Sequence, residues 1–225
     1  MEREKENSLK VLITGSSNGL GRSLAWKFAQ PGNTIILHGR NESRLEVFEK
    51  VLREDRGVIA ETVLGDIREA DTIQHLWEAA RNHRIDVLIN NAGIYDGSVV
   101  DIIAVNMGAP IFLTQGIYPM MQKRRAGLIV NINSLAGKTF NDKEAAYCAS
   151  KWGLRGYMGS LRYAARQYGV GVLDIYPGAM QTDMMLDRPG YEDMMDPDEV
   201  ADVIYNACRD YPTLRVNEIE IGRRL

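Results

Sequence analysis

Cysteine is scarce in this sequence: its 225 residues include two, Cys148 and Cys208. Two widely separated cysteines cannot build a disulfide framework or a cysteine-rich zinc site. The three histidines, His38, His75 and His83, are equally isolated, and no His, Cys, Asp or Glu cluster has the spacing of metal ligands. We therefore expect reduced thiols and no metal site.

Long apolar runs and a strong net charge are also missing. No uninterrupted apolar stretch approaches the roughly 18 residues that a membrane helix needs. The formal net charge is −3 and the pI is near 5.7, a balance that gives no general attraction to nucleic acid or to anionic membranes. Neither partner is expected. The first ten residues, MEREKENSLK, are charged and lack the apolar run of a signal peptide, so we expect a cytoplasmic protein.

Short apolar, β-branched runs alternate with amphipathic segments along nearly the whole chain. Such runs predict strands, and the amphipathic segments predict helices. The predicted strands cover 9–15, 34–39, 57–66, 86–93, 127–134, 169–178 and 217–222. The predicted helices cover 19–30, 42–54, 69–82, 100–124 and 144–168, and one that begins at Asp196 and Pro197. Strands that are apolar on both faces indicate a parallel sheet covered on both sides, and no linker divides the chain, so 1–225 is expected to form a single α/β domain.

Three glycines lie where the first predicted strand turns into the first helix, in VLITGSSNGLGR at 11–22. Because Gly15, Gly19 and Gly21 lack a Cβ, backbone N–H groups can approach an anion there, and the helix N-terminus adds unpaired donors and a partial positive charge. This placement predicts a site for a dinucleotide pyrophosphate. No Gly-Lys-Ser/Thr follows, which argues against hydrolysis of ATP or GTP.

The end of the second predicted strand, LHGRNESRL, lacks the carboxylate that binds the adenosine ribose hydroxyls of NAD. Gly39 occupies the expected acidic position, and Arg40 follows it. A guanidinium can hold a 2′-phosphate through two parallel hydrogen bonds. We therefore predict NADP(H) rather than NAD(H), with a solvated arginine at the start of the next helix as the alternative interpretation.

A tyrosine and a lysine share one face of a predicted helix in EAAYCASKWGL at 144–154, since Lys151 follows Tyr147 by about one turn. Further motifs lie before and after this pair. In chain order, the motifs are TGSSNGLG (14–21), GDI (65–67), NNAG (90–93), VNMGAP (105–110), INSLAG (132–137), YCASK (147–151) and YPGAMQT (176–182). In these motifs and their order the chain resembles the short-chain dehydrogenase/reductase family over essentially its whole length. The resemblance implies a Rossmann fold with a doubly wound, seven-stranded parallel sheet in the order 3-2-1-4-5-6-7, and an NADP(H)-dependent oxidoreductase that acts on a carbonyl or alcohol.

The resemblance also implies roles for individual residues. Ser134, Tyr147 and Lys151 match the catalytic serine, tyrosine and lysine, and Asn106 matches an asparagine that holds a water linked to the lysine. Asp66 would accept from the adenine amine. The positions that match cofactor-binding residues are Gly15, Ser17, Asn18, Gly19, Leu20, Gly21, Arg40, Asp66, Ile67, Asn90, Ala92, Gly93, Tyr147, Lys151, Pro177, Gly178 and Thr182.

Carbonyl reduction needs a proton at the substrate oxygen, and a phenol supplies it well when its pKa, near 10 in water, falls toward the operating pH. We predict that the ammonium of Lys151 lowers the pKa of Tyr147 and that Ser134 donates a hydrogen bond to the substrate oxygen. Two alternatives come from other classes: a non-catalytic NADP(H) sensor on the same fold, and an isomerase or dehydratase that borrows hydride temporarily.

The segment 181–196 takes the place of the substrate lid in the family. Its methionines, Met184, Met185, Met194 and Met195, favour an apolar or adaptable small-molecule substrate if they face the cleft, or they pack the segment onto the core. The long predicted helices 100–124 and 144–168 resemble those that pair between subunits in the family. On that resemblance we expect a homodimer or homotetramer.

Overall fold

One parallel sheet forms the centre of the protein in a computed structural model that describes residues 8–142, 144–209 and 214–224. Its seven strands lie in the order β3-β2-β1-β4-β5-β6-β7, which confirms the predicted sheet. The strands are β1 (Lys10–Ile13), β2 (Thr34–Gly39), β3 (Ile59–Leu64), β4 (Val87–Asn90), β5 (Gly127–Ile132), β6 (Val170–Pro177) and β7 (Glu218–Ile221). Each predicted strand is present, in most cases with shorter ends.

The central strands are buried on both faces, because helices cover both sides of the sheet. β2 and β6 are buried along their whole length. β7, at the sheet edge, instead alternates between exposed glutamates and half-buried isoleucines. This pattern is that of an edge strand with one face in contact with solvent.

The helices form two layers. They are α1 (Gly19–Phe28), α2 (Glu42–Arg56), α3 (Ala70–His83), α4 (Val99–Ile103), α5 (Ala109–Arg124), α6 (Ala145–Arg166) and α7 (Pro197–Ala207). The apolar side chains of α1, α2 and α7 pack in one buried cluster with the sheet, and those of α3, α5 and α6 pack in another. The sheet is therefore doubly wound, as predicted.

The boundaries of two elements show what the sequence pattern captured and what it missed. α7 begins as predicted: the Asp196 side chain accepts a hydrogen bond from the backbone N–H of Asp198, and Pro197 is the first helical residue. The predicted continuous helix at 100–124 instead contains a π-helical turn, Ala104–Gly108, between α4 and α5. Turns of this kind often lie at functional sites.

The continuous helical stretch Val99–Arg124 is long and apolar enough, by length and composition, to cross a membrane, with a mean hydropathy of 1.4 over its most apolar window. In this fold it is a core helix. Leu113, Ile117 and Met121 are fully buried against the sheet, and 44% of the window is buried within the protein.

Candidate active site

A cleft of about 900 Å³ opens at the carboxyl edge of the sheet. The strand order reverses at β1, which pairs with β2 on one side and with β4 on the other. In doubly wound sheets, ligands bind outside the carboxyl ends of the strands at such a reversal. The loops that follow β1, β2, β4, β5 and β6 all line the cleft.

In the glycine loop, the backbone leaves no room for a side chain at Gly15 and Gly21. A Cβ on Gly21 would lie 2.2 Å from the carbonyl oxygen of Gly15, and Gly15 itself has a φ of +66°. Helix α1 begins at Gly19, no side chain caps its end, and its first turn holds no acidic residue. The backbone donors of this turn are therefore open to an anion in the cleft.

Thr14 and Asn91 join the ends of β1 and β4 beneath the cleft. The Thr14 hydroxyl accepts hydrogen bonds from the backbone N–H groups of Asn91 and Ala92, both at 3.0 Å. The Asn91 side chain donates to the carbonyl oxygens of Thr14 and Gly15, at 2.9 Å and 3.0 Å. Asn91 was not predicted individually, although it belongs to the NNAG motif. Its bonds hold Ala92 and Gly93 at the cleft wall.

At the end of β2, Arg40 carries a largely free charge. Its side chain is 69% exposed and lies 3.9 Å from Asp66. Asp66 pairs more closely with Arg68, at 2.8 Å, and the hydrogen bond from Arg68 lowers the pKa of Asp66 to about 2. Arg68 pairs with both Asp66 and Asp101, and the exposed guanidinium of Arg40, with only a long contact to Asp66, can also contact an anion in the cleft.

His38, which was not predicted, precedes Gly39 in the same strand and also lines the cleft. The backbone N–H of Gly15 donates to its Nδ1 at 3.3 Å, and its Nε2 is buried without a partner among the described residues. Burial lowers the pKa of His38 to about 4, so the ring is neutral at physiological pH. The one feature of the sequence that could have pointed to His38 is that a polar residue interrupts an apolar predicted strand, TIILHG at 34–39.

Ser134, Tyr147 and Lys151 converge on one wall of the cleft. Ser134 follows β5, and the other two lie one turn apart at the start of α6. Lys151 is 4% exposed, and its Nζ donates to the carbonyl oxygen of Ile132 at 3.0 Å. The same Nζ lies 5.6 Å from the centre of the Tyr147 ring. In the described part of the chain no carboxylate pairs with it.

The pKa of Tyr147 departs from the prediction. Burial raises it to about 12, against the effect of a hydrogen bond with Ser134, and the charge of Glu144 raises it further. Burial also lowers the pKa of Lys151 to about 8. The predicted lowering of the tyrosine pKa by the lysine is therefore wrong for the protein alone. The physical reason is that desolvation of the phenol dominates, while the ammonium donates to a backbone carbonyl.

Asn133 fixes the relative positions of the serine and the lysine. Its Oδ1 accepts from the backbone N–H of Ser134 at 3.0 Å, and its Nδ2 donates to the carbonyl oxygen of Lys151 at 3.2 Å. The side chain is 3% exposed. One buried amide thus ties the end of β5 to the first turns of α6. Asn133 belongs to the INS motif but was not predicted as a site residue.

Two predicted site residues do not line the cleft. The Asn90 side chain points into the sheet, where it donates to Asn131 at 2.9 Å and to Thr114 at 3.2 Å. Asn106, in the π-helical turn, donates to the carbonyl of Ile94 and accepts from its N–H, both at 2.8 Å. Both amides are buried in bonds to protein groups, so they support the wall of the cleft rather than form it.

The other predicted residues all line the cleft: Gly15, Ser17, Asn18, Gly19, Leu20, Gly21, Arg40, Asp66, Ile67, Ala92, Gly93, Ser134, Tyr147, Lys151, Pro177, Gly178 and Thr182. Thr182 approaches Gly19 so closely that a Cβ there would lie 3.0 Å from its methyl group. The turn after β6 therefore touches the start of α1.

The segment 181–196, the lid segment, borders the other end of the cleft. Its base is closed by a β-bridge between Met180 and Met195, both packed on the core. Met184 and Met185 line the cleft instead. Met184 and Met185 therefore fit the first predicted alternative, in which they face the cleft. Met195 fits the second, in which it packs onto the core.

Two ion pairs tie the lid segment to neighbouring elements. Asp183 pairs with Arg44 of α2 at 3.1 Å, and Arg188 pairs with Asp96 at 3.0 Å. The Arg188 guanidinium also lies 4.3 Å from the centre of the Tyr95 ring. The lid segment thus bridges the mouth of the cleft from α2 to the loop after β4.

Comparisons with known proteins agree with this architecture. The sequence profile of the family described as short chain dehydrogenase matches residues 9–190. A 3-oxoacyl-acyl-carrier-protein reductase of Aquifex aeolicus (strain VF5) is 30% identical over an alignment that covers 92% of this chain and 93% of the relative.

Two solved structures share the fold and contain a cofactor. One is a metagenomic short-chain oxidoreductase in complex with NADP, with 30% identity and a TM-score of 0.82 over 96% of this chain and 97% of the other. The second is a short-chain dehydrogenase from Sphingobium yanoikuyae in complex with NADPH, with 26% identity and a TM-score of 0.82 over 94% and 87%.

The burial of Lys151 predicts a pH-dependent cost to folding. Because its pKa falls from 10.5 to about 8 on folding, the unfolded chain holds the proton to a higher pH than the folded one. The cost is therefore present in full below about pH 8 and is lost as the pH rises toward the ordinary lysine value. We expect Lys151→Met to be more stable than the wild type by about 3 kcal/mol near pH 7, with a gain that shrinks by about pH 10.

Urea unfolding at several pH values measures this difference. Lys50→Met, which replaces a lysine whose side chain is 72% exposed, serves as the control and should show no such pH dependence. A Lys151→Met protein that is less stable than the wild type at every pH would contradict the explanation.

Proposed function

Because the chain belongs to the short-chain dehydrogenase family, we propose that its cleft binds NADP(H) and that Tyr147 is the general acid and base of carbonyl–alcohol interconversion. At the level of the family, the protein is an oxidoreductase that uses a nicotinamide dinucleotide. One observation carries the finer proposal: Ser134, Tyr147 and Lys151 share a cleft wall that is continuous with the glycine loop. The proton-transfer groups and the anion site therefore belong to a single cavity.

The residues present fit a dinucleotide. Gly21 packs against Gly15 with no room for a Cβ, which keeps the turn before α1 tight, and the uncapped start of α1 offers N–H donors to a pyrophosphate. The unpartnered Nε2 of His38 adds a buried polar atom at the same end of the cleft. Ala92 and Gly93 would lie beside the adenosine ribose, and Ile67 beside the base.

NADP(H) is preferred over NAD(H) because of the charge at the end of β2. Arg40 is exposed toward the cleft, Gly39 brings no carboxylate, and Asp66 is held by Arg68. A 2′-phosphate would find a cation there, whereas the bare ribose hydroxyls of NAD would find no acceptor at Gly39. The NADP and NADPH bound to the two related structures support the same preference.

The proton chemistry is assigned to three side chains. When bound, the nicotinamide supplies the hydride that the carbonyl carbon gains. Tyr147 donates its hydroxyl proton to the carbonyl oxygen, and Ser134 donates a hydrogen bond to the same oxygen. Lys151 holds a positive charge close to the phenol, where it favours the phenolate left behind.

Because the pKa of Tyr147 is raised in the protein alone, this mechanism requires a positive charge near the phenol that lowers it. A phenol with a pKa near 12 is a poor proton donor, and each pKa unit that separates it from neutrality corresponds to about 1.4 kcal/mol. The buried ammonium of Lys151 stabilises the phenolate of Tyr147 more strongly once the cleft is closed to water, because charges interact more strongly at low dielectric. Asn133 and Asn106 act as positioning residues that hold the surrounding backbone.

The remaining predictions stay proposals. The lid segment would close over the substrate, with Met184 and Met185 against it. A homodimer or homotetramer is supported by apolar side chains exposed on the long helices, among them Val100, Phe112 and Tyr163. A cofactor sensor would show no NADPH oxidation with any ketone, and an isomerase would show no net oxidation.

Replacing the phenol tests the proposed acid. We expect Tyr147→Phe to lower ketone-dependent NADPH oxidation by about 100-fold or more, because the proton donor is lost, while NADPH affinity measured by fluorescence titration changes little. Tyr163→Phe, which alters an exposed tyrosine on the same helix, is the control. A Tyr147→Phe enzyme that keeps more than about a tenth of wild-type turnover would rule out the assignment.

Replacing the arginine after β2 tests cofactor preference. We expect Arg40→Ala to weaken NADPH binding by about 10- to 100-fold, the loss of one charge-assisted contact, and to leave NADH binding unchanged. Calorimetric titration of both cofactors gives the comparison, with Arg166→Ala at the far end of α6 as control. Equal weakening for the two cofactors would show that Arg40 does not recognise the 2′-phosphate.

A further inference from the structure

Phe140 is 84% exposed, the highest value for any large hydrophobic residue in the described part of the chain. Scattered apolar side chains on a surface are ordinary, but this one also lines the cleft that contains Tyr147. It lies on the loop between Ser134 and Tyr147. An exposed aromatic ring therefore stands at the mouth of the proposed active site.

The ring is held in a fixed orientation from beneath. Phe140 stacks on Trp152, with 5.1 Å between ring centres and 2° between ring planes. The Trp152 indole N–H donates to the carbonyl of Thr139 at 3.3 Å, and the Arg155 guanidinium lies 5.3 Å from the centre of the Trp152 ring. Stacking on Trp152 covers one face of the phenyl ring and leaves the other uncovered.

This arrangement does little for stability, since most of the phenyl surface remains in water and contributes no burial. The stack on Trp152 does fix the position of the phenyl ring relative to α6, the helix that carries Tyr147 and Lys151. Trp152 directly follows Lys151 in α6, so the helix that carries the proposed reacting groups also carries the ring on which Phe140 stacks. On the lid segment, Met184 lines the same cleft and is 41% exposed. Apolar surface therefore borders the mouth on both sides.

We propose that the free face of Phe140 binds a flat aromatic substituent of the substrate, so that the enzyme selects aryl ketones and the corresponding alcohols. The inference rests on the proposed function and names its substrate class. Offset stacking on a ring that is already oriented costs little ordering, and aromatic pairs contribute beyond the area they bury. Met184 and Met185 suit the other side of such a group, because thioether sulfur makes favourable contacts with aromatic rings.

Selectivity between matched ketones tests the inference. The ratio of kcat/KM for propiophenone to that for cyclohexyl ethyl ketone compares a flat ring with a puckered ring of similar size. We expect Phe140→Leu, which keeps an apolar side chain without a flat face, to lower this ratio by about three- to tenfold. Phe140→Trp should retain it. Val47→Ala, at an exposed valine of α2 that lies outside the cleft, is the control.

A binding measurement separates this inference from the proposed function. Calorimetry with propiophenone and cyclohexyl ethyl ketone on the NADP⁺ complex, in which no hydride is available to reduce a ketone, reports the contact with Phe140 without turnover. Weaker aryl binding in Phe140→Leu supports the inference even if no ketone is reduced, in which case the proposed function fails alone. Unchanged aryl preference in Phe140→Leu, in either measurement, overturns the inference while leaving the role of Tyr147 intact.

Discussion

The ammonium group of Lys151 lies inside the protein, 4% exposed, with the carbonyl oxygen of Ile132 as its hydrogen-bond acceptor. A charge in that position is unfavourable for folding, and burial accordingly lowers the pKa of the amine to about 8. The fold holds it there with the end of β5 and the Asn133 amide. Tyr147, whose pKa burial raises in the opposite sense, stands one turn away. Both shifts oppose the charged forms, so this wall of the cleft is electrostatically unfavourable until a charge or a reacting group enters it.

The rest of the architecture brings that wall into the same cleft as the glycine loop. Reversal of the strand order at β1 opens the crevice, and the close packing of Gly21 on Gly15 brings the uncapped start of α1 to its edge. Thr14 and Asn91 lock the two strand ends together across the reversal. A dinucleotide that spans the cleft would therefore link the arginine after β2 to the tyrosine on α6. The end of the cleft that holds Phe140 and the lid segment is built from the loops after β5 and β6.

The strands, the helices and most site residues follow from local patterns. Alternation of apolar runs predicted the sheet, Asp196 and Pro197 predicted the start of α7, and the ordered motifs predicted the residues that line the cleft. The local patterns do not report contacts between residues distant in sequence. The Asn90 Nδ2 donates to Asn131 and Thr114, and the Asn106 amide bonds to the backbone of Ile94. The direction of the Tyr147 pKa depends on desolvation, which the spacing to Lys151 does not report.

The pKa of the Tyr147 hydroxyl itself tests the central claim most directly. Nuclear magnetic resonance of tyrosine labelled at Cζ can follow this group as the pH is raised, in the protein alone and in its complex with NADP⁺. The account predicts a value near 12 in the protein alone, a fall toward about pH 7–8 in the complex, and no such fall in Lys151→Met. A hydroxyl that keeps its high pKa in the wild-type complex would contradict the role of the buried ammonium.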